Sequence, residues 1–383
     1  MSEKRGLVRA EEICGDHEQR AKEIKAGGGK VAGYFCCYPP VELMTASGYL
    51  PLRILGDMNE PLTEADNYLP TAMCCFYRSV IDVGMKGRYN YLDAFLGAHA
   101  CDGAERVSYV WRSYLKSPCS FYLDLPHTNH AAALEFMRKQ LIYLNEELEK
   151  GAGKKATPEM IREAVRVHNR QRALVRELYG LNRVDPPLLS GSEVLQVMVA
   201  IMSIPVEEGN ALLAEVIEEV KGRERGPEKK KGRILIWGSL IDNIALTRLI
   251  EECGLNIVID DTAIGTRSFW VDVDEMEDPF AGLAVRYLDK VVCPRTFRDT
   301  GETRQKDLDN RFGYLKEMVK GWQVNGVYFN IIRNCDIHGY EIPELRDYFE
   351  SMGLPVLVVE QDYTTTALAP LRTRFQAFAE SIG

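Results

Sequence analysis

The most telling segment of this chain is Gly326-Val327-Tyr328-Phe329-Asn330-Ile331-Ile332, an almost unbroken run of apolar residues. Such a run, bounded by polar residues, predicts a strand that is buried on both faces of a parallel sheet. The run is followed by Arg333-Asn334-Cys335-Asp336 and by His338. Open parallel sheets bind ligands beyond the carboxyl ends of their strands. We therefore expect Cys335 to be a ligand or a nucleophile rather than a core residue.

Short apolar runs alternate with helical patterns on both sides of this strand. Further strands are predicted at residues 30–35, 52–56, 120–124, 233–237, 256–260 and 355–360. Alternation of this kind is typical of βαβ units around a parallel sheet. The fold class that we predict is therefore α/β, with two doubly wound, Rossmann or flavodoxin-like domains joined by a helical region.

Domain boundaries follow from changes in the pattern. We predict an N-terminal α/β domain over residues 1–130, a helical bridge over 131–222, a linker over 223–232 and a C-terminal α/β domain over 233–383. In the bridge, Thr157-Pro158-Glu159 predicts an N-cap followed by a helix that ends near Gly180, and Ser192 is expected to cap another helix. The linker is rich in Lys, Arg and Gly, and a solvated surface loop is favoured there over a phosphate-binding role.

Composition restricts the functional class. The 383 residues carry a formal net charge of -9, with a pI near 5.4 and 46% hydrophobic residues. The acidic balance argues against nucleic acid as a partner. No apolar run approaches the roughly 18 residues that a membrane span requires, and no secretory signal is visible. We expect a cytoplasmic protein whose thiols are reduced.

The ten cysteines carry most of the chemical information. Cys74 precedes a predicted helix, whose N-terminus would favour its thiolate and metal ligation. Cys101 is placed in a loop after a helix, and Cys36-Cys37 ends the first strand as ligands, substrate-facing thiols or packing residues. Cys75 belongs to the doublet with Cys74, and four other cysteines are expected to be structural: Cys14, Cys119, Cys253 and Cys293. Thiolates drawn from distant loops suit an iron–sulfur cluster between domains better than a local metal clip.

Other catalytic patterns are missing. Trp237-Gly238-Ser239 follows a predicted strand but does not continue as GxGxxG, and the sequence contains no GxxxxGK[ST] motif. It also lacks an HExxH zinc motif and a GxSxG nucleophile elbow. The chain therefore has no nucleotide-binding motif of its own.

Several short motifs nevertheless recur in a familiar order. They are Gly33-Tyr34-Phe35-Cys36, Ala46-x-Gly48-Tyr49-Leu50-Pro51, Cys74-x-Phe76-x-Arg78-Ser79, Cys101-Asp102-Gly103 and Asn334-Cys335-Asp336. In these motifs the chain resembles the 2-hydroxyacyl-CoA dehydratase and benzoyl-CoA reductase family over nearly its whole length. Within that family it is most similar to the smaller, C-type cluster-carrying subunit of ATP-dependent benzoyl-CoA reductase.

The resemblance implies a cofactor and partners. It implies a [4Fe–4S] cluster between the domains, with Cys74, Cys101 and Cys335 as ligands and Cys74 preferred over Cys75. Cys36 and Arg78 would then face an acyl-CoA substrate. The implied partners are a homologous larger cluster-carrying subunit and an ATP-hydrolysing iron–sulfur activator, which agrees with the missing nucleotide motif.

Three functions remain open at this point. The first is reduction of an aromatic acyl-CoA by a benzoyl-CoA reductase, with single-electron and proton transfers. The second is dehydration of a 2-hydroxyacyl-CoA. The third is electron transfer through a larger fused cluster, in which the cysteine doublets would supply additional ligands. For ring reduction we predict that His338 is the proton donor, because histidine titrates in the useful range; the alternative is a histidine that only hydrogen-bonds the loop or the cluster.

Overall fold

Two four-stranded parallel sheets form the framework of the protein. The computed structural model describes residues 5–115 and 117–382, and within them eight strands pair into the two sheets. The strands are β1 Lys30–Tyr34, β2 Tyr49–Arg53, β3 Ala94–Ala98, β4 Cys119–Leu123, β5 Gly232–Gly238, β6 Leu255–Asp261, β7 Gly326–Ile332 and β8 Val356–Gln361.

Helices connect the strands and fill the segment between the sheets. Over the described residues they are α1 Gly6–Gly15, α2 Gln19–Ala26, α3 Val41–Ala46, α4 Cys75–Met85, α5 Asp102–Tyr114, α6 Ala131–Ala152, α7 Pro158–Gly180, α8 Gly191–Ile201, α9 Val206–Gly222, α10 Ile244–Glu252, α11 Thr266–Phe269, α12 Pro279–Ala284, α13 Arg304–Gly321, α14 Asp336–Ser351 and α15 Leu371–Ser381. A π-helical stretch, Val285–Lys290, continues α12. None of these helices combines the length and the apolar character that crossing a membrane would require.

The two sheets have the same strand order. The first runs β2-β1-β3-β4 and the second β6-β5-β7-β8. This is the order of flavodoxin-like doubly wound sheets, and it is consistent with the two Rossmann-like domains that the sequence predicts. In each sheet the order reverses between the first and third strands, which are β1 and β3, and β5 and β7. Ligands of such sheets bind at this point, outside the carboxyl ends of the strands.

The central strand of the second sheet has the predicted bounds. All seven residues of β7 are buried, as are all seven of β5, which pairs with it. Burial on both faces explains why β7 is apolar throughout instead of alternating. Because β7 is held rigidly between β5 and β8, the loop that follows it starts from a fixed position.

Two strand predictions in the first sheet were wrong. The second strand is Tyr49–Arg53, three residues earlier than predicted. The strand Ala94–Ala98 was missed, because the segment is short and contains no β-branched residue. A Cβ added at Gly97 would lie 2.1 Å from the Ser108 Oγ, so glycine lets α5 pack directly on β3. Because Ala94–Ala98 is a strand, Cys101 follows a strand and not the helix that the sequence predicts.

The middle of the chain is helical, as predicted. Thr157 is the N-cap of α7, and its side chain accepts a hydrogen bond from the Met160 N–H, which confirms the predicted start of this helix. The cap of α8 is Ser190 rather than Ser192, and it forms a reciprocal capping box with Glu193. Helix α1 packs against α8 and α9, which ties the start of the chain to this helical segment.

Candidate functional site

The three cysteines that the resemblance singles out lie on one cavity between the two sheets. Cys74, Cys101 and Cys335 all line this cavity, whose volume is ≈ 70 Å³. We call it the thiol cavity. Each of the three residues directly precedes a helix and occupies its N-cap position. Helix N-termini carry partial positive charge and favour thiolates, so the positions suit metal-ligating cysteines.

Two of these cysteines occupy equivalent places in the two domains. Cys101 follows β3 and Cys335 follows β7, and both strands border the point where the strand order of their sheet reverses. The Cys101 sulfur accepts a hydrogen bond from the Ala104 N–H at 3.3 Å. The thiol cavity is therefore built from the ligand-binding edges of both sheets, facing each other.

Hydrogen bonds to the backbone fix the third cysteine, Cys74, against the second domain. Asn334, with φ of 61°, donates its side-chain amide to the Met73 carbonyl at 3.3 Å. The Cys75 N–H donates to the Arg333 carbonyl, also at 3.3 Å. These bonds hold the residues before α4 against the loop after β7. Cys74 and Cys335 are brought together in this way although they follow strands of different sheets.

Three further thiols line the same cavity: Cys36, Cys37 and Cys293. Cys36 has φ of 72°, an uncommon backbone conformation for a residue with a side chain, and it follows β1 at the first sheet's reversal point. Cys37 and Cys293 are both buried. In the described residues, six of the ten cysteines thus surround one cavity. The sequence predicts a core position for Cys293, because its only local signal is the apolar pair Val291-Val292 before Cys-Pro.

Neighbouring thiols shift each other's pKa. The hydrogen bond with Cys74 holds the pKa of Cys335 well below its usual value, and the same bond raises the pKa of Cys74. Cys37 has two thiol neighbours, Cys293 and Cys36; hydrogen bonds with them raise the pKa of Cys37 and lower the pKa values of both neighbours. Burial raises the pKa of Cys101 to about 12. Metal binding at these sulfurs would release their protons.

The spread of the thiols bears on the kind of metal group that fits. In the described part of the chain, no three His, Cys, Asp or Glu side chains converge closely enough to hold one metal ion. An iron–sulfur cluster offers a separate iron to each thiolate, so its ligands can stand further apart around a cavity. Thiolates are also the preferred ligands of such clusters. The donor set therefore fits a polynuclear cluster.

His338 lies between a ligand candidate and an arginine. Its Nδ1 is 3.4 Å from the Cys335 sulfur, and its Nε2 is 2.9 Å from the Arg267 Nη1. A guanidinium can only donate, so Nε2 accepts and Nδ1 carries the proton that points to the Cys335 sulfur. His338 is buried and lines the thiol cavity, as predicted from its place after β7. Its role as a proton donor to substrate stays a prediction.

The two residues that were predicted to face a substrate, Cys36 and Arg78, lie in different places. Cys36 lines the thiol cavity, but Arg78 does not; it forms an ion pair with Asp66 and donates to the Thr71 carbonyl at 3.5 Å. Two other arginines border the thiol cavity, and sequence reasoning missed both. Arg53 donates to the Cys36 carbonyl, and Arg267 belongs to the second domain.

The fold and the cavity define an α/β protein with a thiol-lined site between two flavodoxin-like sheets. The profile of the family described as 2-hydroxyglutaryl-CoA dehydratase, D-component, matches residues 36–382. The chain belongs to this family, as the motifs predict. The match covers the second sheet, the strands β2, β3 and β4 of the first, and the six cysteines of the thiol cavity.

Three relatives show how the family's activities divide. The chain is 28% identical to the C-type subunit of benzoyl-CoA reductase from Thauera aromatica, over 92% of this chain and 91% of that relative. It is 25% identical to the (R)-phenyllactyl-CoA dehydratase beta subunit of Clostridium sporogenes, over 94% of each chain. It is also 25% identical to the beta subunit of lactoyl-CoA dehydratase from Anaerotignum propionicum, over 98% of each. Reductase and dehydratase relatives are thus similarly distant.

Proposed function

We propose that this chain is an iron–sulfur protein of the dehydratase and reductase family that holds a fused cluster larger than [4Fe–4S] and transfers electrons at low potential. One observation carries the proposal: six thiols, not three, line the cavity between the two sheets. A [4Fe–4S] cluster on Cys74, Cys101 and Cys335 would leave Cys36, Cys37 and Cys293 unused beside it. A larger cluster gives all six a ligand role, which is the third function left open by the sequence.

The surroundings of the six thiols suit an anionic cluster. The helix N-termini at three of them, and the guanidinium groups of Arg53 and Arg267, would offset the negative charge of several thiolates. When bound there, the cluster would supply single electrons at low potential. His338 would donate its Nδ1–H to the Cys335 thiolate, and apolar neighbours such as Phe76 and Ile332 would exclude water.

A second candidate is a benzoyl-CoA reductase subunit with a [4Fe–4S] cluster on Cys74, Cys101 and Cys335. It is favoured by the 28% identity to a subunit of such a reductase and by the N-cap positions of these three residues. Dearomatisation of an aromatic acyl-CoA would then be the reaction. A 2-hydroxyacyl-CoA dehydratase subunit has similar support from its relatives.

Either function requires electrons at low potential, which another protein must supply. The sequence has no nucleotide-binding motif, and the relatives are named as subunits. We therefore propose that the protein works in the cytoplasm with an ATP-hydrolysing iron–sulfur activator, and in the reductase case with a homologous larger subunit.

Metal analysis after anaerobic reconstitution separates the two cluster types. A fused cluster should give about eight iron atoms per chain, and a single cubane about four. The double variant Cys37→Ala/Cys293→Ala should lose a large part of the iron in the first case and none in the second. Cys253→Ala is the matched control, because Cys253 is buried but lies outside the thiol cavity. About four irons, insensitive to the double substitution, would favour the [4Fe–4S] candidate; a chain that binds no iron would contradict both.

A further inference from the structure

A second cavity lies on the other side of the Cys36–Cys37 segment. It has a volume of ≈ 50 Å³ and shares Cys36 and Cys37 with the thiol cavity. Its wall also includes residues of the first sheet, α3, α7 and α11, the residues after α8 and the π-helical stretch, with Arg172 and Arg286 among them. We call it the arginine cavity. Nothing in the proposed function uses it.

Arg286 is incompletely paired in this cavity. The side chain is 1% exposed. Its Nε donates to the Val271 carbonyl at 3.0 Å and its Nη2 to the Ser268 carbonyl at 2.7 Å. Its Nη1 has no hydrogen-bond partner among the residues that the structure describes. A buried N–H of a charged group that lacks an acceptor is unfavourable, so an acceptor beside Nη1 would be stabilising.

The carboxylate of Glu42, which lies near Arg286, already has a hydrogen-bond partner for each of its oxygens. One oxygen of Glu42 accepts from Arg172, and the other accepts the Tyr287 hydroxyl at 2.7 Å. Burial opposes ionisation of Glu42, but Arg172 outweighs it and holds the pKa of Glu42 at about 2. Burial also lowers the pKa of His168 to about 4, which leaves that ring neutral near pH 7. One carboxylate therefore lies near two guanidinium groups, and neither of its oxygens pairs with Arg286.

The size of the cavity bears on which acceptor it could bind. A volume of ≈ 50 Å³ accommodates roughly four water molecules. A small anion of a few heavy atoms has that size, and an aromatic acid is larger. A second donor is present, because the Gln171 Nε2, also on this wall, lacks a partner in the described chain. The wall of the cavity therefore includes two side chains whose donors lack partners in the described chain, Gln171 and Arg286.

We propose that the arginine cavity binds a small monovalent oxyanion of the size of formate or nitrite, with the Nη1 of Arg286 as its main donor. The anion would pair with Arg286 and lie directly behind Cys36 and Cys37. The presence of a cluster beyond these two cysteines rests on the proposed function, whereas the donors to the anion, Arg286 and Gln171, are not cluster ligands under it.

The test is calorimetric titration of the reconstituted full-length protein with sodium formate and sodium nitrite at constant ionic strength. We expect saturable binding of both, and no binding of benzoate. Arg286→Gln should weaken binding by roughly 10-fold to 100-fold, the range for a lost hydrogen bond to a charged group. Arg286→Lys, which keeps the charge, should bind more tightly than Arg286→Gln. Arg176→Gln is the control, because Arg176 lies on the same wall's helix, α7, but pairs with Asp272.

Three results would overturn the proposal. They are no saturable binding by the wild-type protein, equal binding by Arg286→Gln, and binding of benzoate as tight as that of formate. If Arg286→Gln does not fold, the wild-type titration and the Arg286→Lys variant still decide the question. Iron content is measured on the same samples, so that failure of the cluster proposal can be distinguished from failure of the anion proposal.

Discussion

The Nε2 of His338 lies 2.9 Å from the Nη1 of Arg267. Arg267 is itself held by Asp261, whose carboxylate accepts at 3.0 Å and also accepts the Tyr314 hydroxyl at 2.7 Å. The chain of hydrogen bonds fixes the tautomer of His338 and directs its only proton to the Cys335 sulfur. In this arrangement the His338 proton is directed to a sulfur that we propose as a cluster ligand.

We expect substitution of His338 to change the bound cluster's potential. His338→Phe removes the donor to Cys335 and should lower the midpoint potential, because hydrogen bonds to cluster sulfurs raise it. His338→Gln, whose amide can still donate, should preserve most of the wild-type potential. Redox titration followed by electron paramagnetic resonance measures both.

The acid role makes a different prediction for the same variants. If His338 protonates substrate, His338→Gln should keep its iron and its potential but lose turnover by roughly 10²-fold. Turnover within about tenfold of wild type in a fully loaded His338→Gln protein would leave only the hydrogen-bond role. Iron content serves as the control in each case.

Cys74, Cys101 and Cys335 are predicted to be ligands under both cluster proposals. Replacement of any one by alanine should remove most visible absorbance of the reconstituted protein and lower its thermal stability, since metal binding is coupled to folding. Absorption spectra, iron analysis and thermal unfolding measure the effect, with Cys253→Ala as the control. Full iron content in all three variants would refute the assignment.

Local patterns account for what the sequence predicts well. β7 and α7 have the predicted bounds because a continuous apolar run and a Thr-Pro cap are written into adjacent residues. β3 carries no such pattern, and its Gly97 is explained only by the close approach of Ser108. The strand order, and with it the meeting of Cys101 with Cys335, depends on pairing between distant segments.

Most of the residues that line the thiol cavity could not be predicted from local sequence patterns, for the same reason. Cys293 follows a π-helical stretch and reaches the cavity through tertiary packing, so a sequence window around it shows little more than a core residue. The positions of Arg53 and Arg267 at the cavity could not be predicted either, because each lies in an ordinary strand or helix. Conversely, Arg78 has a motif position but pairs with Asp66.

The missing nucleotide motif leads to a prediction about the isolated chain. The purified, reconstituted protein should hydrolyse no ATP and should not reduce or dehydrate an acyl-CoA by itself. Addition of a family activator ATPase with a reductant should lead to electron transfer, seen as a change in the cluster's spectrum. ATP hydrolysis by the chain alone, unchanged in Cys335→Ala, would argue for an unrecognised nucleotide site.

The buried His168 predicts how stability depends on pH. Burial lowers the pKa of His168 to about 4, so between pH 4 and 6.5 the unfolded chain binds more protons here than the folded chain. The contribution of this group to stability is therefore complete above about pH 6.5 and is lost as the pH falls towards 4, by about 3 kcal/mol in total. His168→Gln should show a smaller loss of unfolding free energy between pH 7 and pH 4.5 than wild type.

Comparing the pH profiles of wild type and His168→Gln separates the effect of His168 from that of groups with the opposite pH dependence. Burial raises the pKa values of Asp242 and Asp260 to about 6, so their stabilising contribution is present at low pH and is lost as the pH rises through 6, in both proteins alike. Thr45 contacts the His168 Nε2 at 2.9 Å, and Thr45→Val is the control, because it removes a hydrogen bond but no titrating group. It should lower stability by a similar amount at both pH values. Parallel pH profiles for wild type and His168→Gln in urea unfolding would show that His168 does not titrate between the folded and unfolded states as its burial requires.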